Sequence, residues 1–218
     1  MSGARIVGAP VPACFPDDGP VRVLCVGEAP GPRGADKSGV PFFGDRAGAP
    51  LYRALEAAGG CVLPPEAWRL PWDGATFAAA SLRPQLRGVA LGNAFDRCPT
   101  DDGHRFRAPS RVELSSAANE ERLRYDVDEA VARGLRLIVP LGRVAAQVMT
   151  TLLATHAARW PGVRCEGVVH PSAQGLLSTA PDRGRGARLA DLATQWEARL
   201  VALIAPLLTD APPAGDVA

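Results

Sequence analysis

The sequence predicts a single α/β domain in three layers, an α/β/α sandwich whose central, mainly four-stranded parallel sheet has helices on both faces. Three observations lead there. Short β-rich apolar runs alternate along the chain with stretches of helical periodicity, the pattern that builds a parallel sheet covered on both sides. The length, 218 residues, suits one medium domain. Unusual polar residues also cluster just after the apolar runs: Glu28 after the first, Asn93 closing the second, His170 after the fourth. In parallel sheets ligands bind outside the carboxyl ends of the strands, so these positions are where a site would be built.

The elements follow in order. Residues 1–20, rich in Pro and Gly, are expected to form a flexible arm. Val21 to Gly27 is an apolar run ending at a glycine and reads as the first strand. Gly48 to Ala58 reads as a helix with Leu51, Leu55 and Ala58 on one face. Cys61 to Leu86 is expected to be irregular, and Val89 to Ala94 is the second strand. A polar loop, Asp96 to Pro109, leads to a helix over Ser115 to Arg133, with Leu123, Val127 and Val131 in phase and Gly134 as its cap. Leu135 to Leu141 is the third strand, Gly142 to Ala158 the helix after it, and Val163 to Val169 the fourth strand. The last helix runs from about Gly186 to Leu208, with Leu189, Leu192, Trp196, Leu200 and Ile204 at core spacing. The domain thus spans 21–208, and residues 209–218 are expected to be a disordered tail.

Composition narrows the function classes. No apolar run approaches the roughly 18 residues that span a bilayer, and Met1 to Pro10 lacks the pattern of a signal peptide, so a cytoplasmic monomer is expected. A net charge of +1 argues against a domain coated in phosphate-binding charge, though not against a small basic face. Lys37 is the only lysine. The five cysteines, Cys14, Cys25, Cys61, Cys98 and Cys165, contain no C-x-x-C pair and read as buried small hydrophobes.

Four motifs carry the chemistry. The first is Gly27-Glu-Ala-Pro-Gly31, continuing through Gly39-Val-Pro-Phe-Phe-Gly-Asp-Arg-Ala-Gly48, whose glycines permit close backbone approach to a ligand. The others are Leu91-Gly-Asn-Ala-Phe-Asp-Arg-Cys98, Leu137-Ile-Val-Pro-Leu-Gly-Arg-Val-Ala145 and Val168-Val-His-Pro-Ser172. In this order, each at a strand end, they resemble the uracil-DNA glycosylase superfamily over roughly Val21 to Leu200. Gly-Glu-Ala-Pro-Gly looks like the thermophile-type group called type a; the loop around Lys37-Ser-Gly39 and Leu51-Tyr-Arg-Ala-Leu55 look nearer to type b.

The resemblance implies a DNA base-excision enzyme that hydrolyses the N-glycosidic bond of uracil, and of other deaminated bases such as hypoxanthine, leaving an abasic site. Both groups usually hold a four-iron, four-sulfur cluster on four cysteines. Here Cys98 fills one position, but Ser115-Ser-Ala-Ala118 stands where a partner is expected and Cys14 is alone. A cluster needs its thiolates, so no cofactor and no metal are expected. Packing must then hold Asp96 to Asn119 in place.

Bond cleavage leaves a cationic sugar and an anionic base, so the residues can be given roles. An imidazole donor from His170 aimed at uracil O2 would stabilise charge that develops in the transition state. The Asn93 amide combines an acceptor and donors that match uracil N3–H and O4, whereas cytosine presents the opposite pattern. Phe42 would stack on the extruded base, against a wall made by Gly27 and Ala29. The potent uracil-specific branch carries an Asp where this chain has Ala29, which leaves Asp45 as partner of the water or the sugar and Glu28 as a polar wall. Ser172, Gln174, Arg143 and Arg185, with Arg183 and Arg188, are candidates for phosphate contacts, which position DNA without reading it. Arg97, His104, Arg105, Arg107 and Arg111 form a second basic stretch. Two other readings remain open at this point: a weakly catalytic or inactive protein gripping uracil or abasic DNA with the same fold, and an unrelated nucleotide-handling α/β enzyme.

Overall fold

A computed structural model describes residues 5–181 and 185–209. The chain runs β1 (Val21–Gly27), α1 (Ala35–Ser38), α2 (Gly48–Ala57), β2 (Cys61–Val62), a 3-10 turn (Pro65–Trp68), α3 (Gly74–Ala79), β3 (Gln85–Leu86) and β4 (Gly88–Asn93). It continues through α4 (Arg111–Leu114), α5 (Ala117–Ala132), β5 (Leu137–Pro140), α6 (Arg143–Thr155), β6 (Arg164–Cys165), α7 (Ala173–Leu177) and α8 (Leu189–Thr209). The main sheet has four strands in the order β4-β1-β5-β6, and every pairing within it is parallel.

Burial of both faces explains why β1 is apolar apart from Arg22. Val23 and Cys25 face α2 and α8, while Leu24 and Val26 face α5 and α6, as the period-two geometry of a strand requires. Val21 breaks this alternation and joins the α5–α6 face. The reason is a shift of register: Val21 pairs with Gly88 but Val23 with Val89, so Arg22 is an extra residue in the strand. On the opposite layer Leu192, Trp196, Leu200 and Ile204 of α8 are buried as their spacing predicts; Leu189, where the helix begins, is exposed.

Several expectations need correction. The 5–20 segment is not a loose arm: Val11 is buried, Cys14 and Leu91 exchange backbone hydrogen bonds across the free edge of β4, and the Ile6 N–H reaches the Gly103 carbonyl. An unpaired strand edge is a liability, and this segment covers it. Residues 61–86, expected to be irregular, contain a small antiparallel pair, β2 with β3, and helix α3 capped by Asp73. The fourth strand shrinks to two residues plus a bridge between Leu141 and Val168, because Gly167 and its neighbours lie outside the ladder. The helix expected over 115–133 runs as α5 from Ala117 to Ala132, capped by the Ser116 side chain, which accepts the Asn119 N–H, and a short helix not expected, α4, precedes it. Residues 210–218 and Arg183 lie outside the described residues.

The order β4-β1-β5-β6 fixes the place of the site. From β1 the chain goes to β4 on one side, then crosses to β5 on the other, so β1 and β5 flank the switch point. A crevice forms at the carboxyl ends of strands where the connections diverge in this way. Gly27, Asn93, Leu141 and the segment ending at His170 all lie at that end. Among the described residues no helix is long and apolar enough to cross a membrane.

Candidate active site

Motifs one and two meet at Gly27. Its Cα is so enclosed that a Cβ built there would lie 2.6 Å from the Asn93 Oδ1 and 2.6 Å from Phe42 Cε1. Register explains half of this, since Gly27 and Asn93 are partners at the ends of β1 and β4. The turn after α1 explains the rest. Phe42 has φ +64°, a left-handed conformation that costs a non-glycine residue of order 1–3 kcal/mol. The turn is held by the Asp45 N–H donating to the Phe42 carbonyl and by Tyr52 Oη donating to the Pro41 carbonyl at 2.9 Å. The next residue, Phe43, points the other way into the core, 4.3 Å from Phe77 between ring centroids. Both rings are buried in one apolar cluster, Phe43 fully and Phe42 with its edge turned to Gly27.

Asn93 is 3% exposed, yet its Nδ2 has no hydrogen-bond partner among the described residues. Buried polar groups are nearly always paired, and an unpaired one costs about 1–3 kcal/mol. An orphaned amide donor at the sheet's carboxyl end is therefore the strongest single indication of where a polar ligand belongs.

Motifs three and four also meet. Gly142 has φ +97° as it turns from β5 into α6, and a Cβ there would be 3.1 Å from the Cβ of His170. The Gly142 N–H donates to the Val168 carbonyl, and Trp196 of α8 donates its Nε1–H to the Val169 carbonyl at 2.8 Å, fixing the backbone on the amino side of His170. On its other side Gly175 packs against the His170 carbonyl. Burial holds the imidazole below its ordinary pKa, so the neutral form is favoured.

The carboxylates take different positions. Asp45 is lodged against Gly31 and Gly34 and accepts the Ala35 N–H at 3.2 Å, so it fastens the motif-one loop. Burial raises its pKa, opposed by hydrogen bonds from the Ala35, Gly31 and Gly34 backbone. Glu28, directly after β1, is half-buried and its pKa is raised by desolvation. Ala29 beside it is also half-buried and brings no ionisable group.

The basic candidates divide as well. Arg143, Gln174, Arg185 and Arg188 are exposed, and so are Arg97, His104, Arg105 and Arg111. Arg107 is instead committed to Asp101 at 2.7 Å and to both oxygens of Glu113, whose pKa it pulls down to about 2. It locks the loop after motif two rather than reaching outward. Ser172 is first of all the N-cap of α7, accepting the Gly175 N–H at 3.3 Å.

Several residues were missed in the sequence. Arg122 and Asn119 bond the main chain of Asn93 and Ala94, and Asp36 accepts the N–H groups of Val7 and Gly8 at 2.9 and 2.8 Å. A polar pair beside an apolar helix stripe was the available signal for the first two. For a thiolate cluster the donors do not fit: among the described residues no three His, Cys, Asp or Glu side chains gather as ligands, and all five cysteines are free.

The chain is similar to several known proteins. The family model described as the uracil DNA glycosylase superfamily matches residues 16–198. A type-5 uracil-DNA glycosylase of Mycobacterium leprae is 31% identical over 183 residues, covering 78% of this chain and 71% of that protein. A second of the same name, from Thermus thermophilus, is 33% identical over 132 residues, 61% of this chain and 51% of the relative. A crystal structure of Pedobacter heparinus SMUG2 aligns over 86% of this chain and 77% of its own with a TM-score of 0.48 and 14% identity.

Proposed function

Because the chain belongs to the uracil-DNA glycosylase superfamily, we propose that it hydrolyses the bond between uracil and deoxyribose in DNA, the opening step of base-excision repair. The observation that carries this reading is the buried, unpartnered Asn93 amide beside Phe42. A flipped uracil stacked on Phe42 would give Nδ2 its missing acceptor in O4 and offer N3–H to the amide oxygen. Cytosine would leave the same groups unpaired, which is how a fixed polar site rejects an analogue strongly.

The chemistry follows from charge. As the bond from C1′ to N1 lengthens, its electron pair leaves with the base and the sugar becomes cationic. Neutral His170 donates an N–H to the developing charge on O2, a type of contact worth about a hundredfold or more. Water then adds to C1′ and its proton ends on the departing base or in solvent. Asp45 stands as partner of the water or the sugar cation, its charge held in the motif-one loop, and Glu28 as a polar wall of the pocket with Gly27 and Ala29. Arg143, Gln174, Arg185 and the outward side of Ser172 contact phosphates. The protein acts as a cytoplasmic monomer on uracil-containing DNA, and accepts other deaminated bases such as hypoxanthine where they offer the same edge.

The test is excision by purified protein on short duplexes carrying one uracil, hypoxanthine or xanthine, followed by alkali to reveal abasic sites. Strand cleavage at uracil is expected. Retained binding to uracil or abasic duplex without cleavage would replace the enzyme with a binding protein of the same fold.

A further inference from the structure

No hydrogen bond from the Asn93 Nδ2 fixes its rotation among the described residues, so the side chain is held by packing against Gly27 and by the course of its own backbone. That backbone ends β4, an edge strand, where carbonyls beyond the ladder need partners. Arg122 of α5 supplies them. One terminal nitrogen of its guanidinium, Nη2, donates to the Asn93 carbonyl at 3.0 Å and to the Ala94 carbonyl at 3.1 Å. The same nitrogen reaches Asn119 Oδ1 at 2.9 Å, and Asn119 returns its Nδ2–H to the Ala94 carbonyl at 2.9 Å. The other terminal nitrogen bonds Asp126 at 2.8 Å, one turn along the helix. Arg122 and Asp126 side chains are only 21% and 14% exposed, so this network is largely shielded from water.

We propose that Arg122 is a positioning residue that sets base specificity, clamping the Asn93–Ala94 main chain so that the Asn93 amide meets the base in one orientation. The inference rests on reading Asn93 as the group that reads the base. A planar guanidinium with donors on several sides can hold two carbonyls, an amide and a carboxylate at once; an ammonium cannot. The clamp comes from behind the strand and touches neither the base nor the sugar.

The test compares Arg122→Met, Arg122→Lys and Asn93→Ala in single-turnover excision of uracil at saturating protein, and in binding to a duplex carrying an abasic site. With Arg122→Met the excision rate falls by about tenfold to a hundredfold, the cost of misplacing a reacting group by roughly 1 Å. Affinity for the abasic duplex, which offers no base to read, stays within twofold. Arg122→Lys restores less than half of the loss. Arg159→Met, which breaks the remote Arg159–Asp128 pair, leaves both values unchanged. Equal losses of excision and abasic binding in Arg122→Met, or no loss of excision, would overturn the clamp. If Asn93→Ala also left excision intact, the reading of Asn93 would fall with it; if Asn93→Ala alone abolished excision, only the role of Arg122 would.

Discussion

Asn93 Oδ1 and Phe42 Cε1 converge on one point, each 2.6 Å from where a side chain on Gly27 would begin. A methyl group at Gly27 must displace the amide, the ring or both. Gly27→Ala is expected to fold, because only side-chain atoms are in the way, and to lose about a hundredfold in excision. Circular dichroism and excision kinetics on the same preparation check this; an active Gly27→Ala would mean that the ring and amide do not form the pocket.

Phe42 holds a left-handed backbone in order to place its ring. Phe42→Ala keeps the strained turn and loses the stacking surface, worth about 1–3 kcal/mol per base. The expected result is weaker binding of a uracil duplex by about tenfold, read by anisotropy, with binding of an abasic duplex little changed. Phe42→Gly relieves the φ as well, so it should melt no lower than Phe42→Ala.

Burial lowers the His170 pKa, and the sign of its effect on stability follows. Above the ordinary imidazole value of about 6.5, folded and unfolded chains are both neutral there and the native state is not penalised. As pH falls below it, the unfolded chain takes up a proton that the folded one resists, and stability is lost until the lowered folded pKa is passed. His170→Gln should flatten this part of the melting-temperature profile below about pH 6.5. His170→Ala should lower excision by about a hundredfold or more at neutral pH.

Asp45 and Glu28 are separated by charge-removing substitutions. Asp45→Asn should cost about a hundredfold or more in excision, the range of a lost proton-handling carboxylate, and should also lower the melting temperature because the motif-one loop loses an anchor. Glu28→Gln should cost tenfold or less. The reverse order would move the water to Glu28.

The Asp36 side chain ties down the amino-terminal segment through Val7, Gly8 and a 2.7 Å ion pair with Lys37. Asp36→Ala should free residues 5–11, seen as faster amide exchange at Val7 and Gly8 and as new protease cleavage there.

The four-stranded parallel sheet and the polar residues at its carboxyl end were legible because periodicity and strand-end chemistry are local properties of sequence; the strand order was not. Asn93 and His170 stood out for that reason, and the structure places each against a glycine from a neighbouring motif. The clasp on the 5–20 segment was not legible: Asp36 bonds backbone N–H groups 28 and 29 residues away, and main-chain donors carry no sequence signature. The same holds for Arg122, whose partners are carbonyls. Arg107 read only as part of a basic stretch because a row of arginines does not reveal which of them faces a carboxylate; Glu113, six residues on, claims it.

The proposed site residues gather at one end of the sheet, which leaves the turns at the other end as handles. Gly162, just before β6, is exposed and a Cβ there would meet no atom within 4 Å, although its φ of +79° strains any other residue and favours attachment at a neighbour in the same turn. A tether, dye or surface attachment introduced in this turn would sit at the amino ends of the strands, opposite the end that carries Asn93. The protein could then be immobilised with its pocket facing outward, and DNA could enter and leave unobstructed.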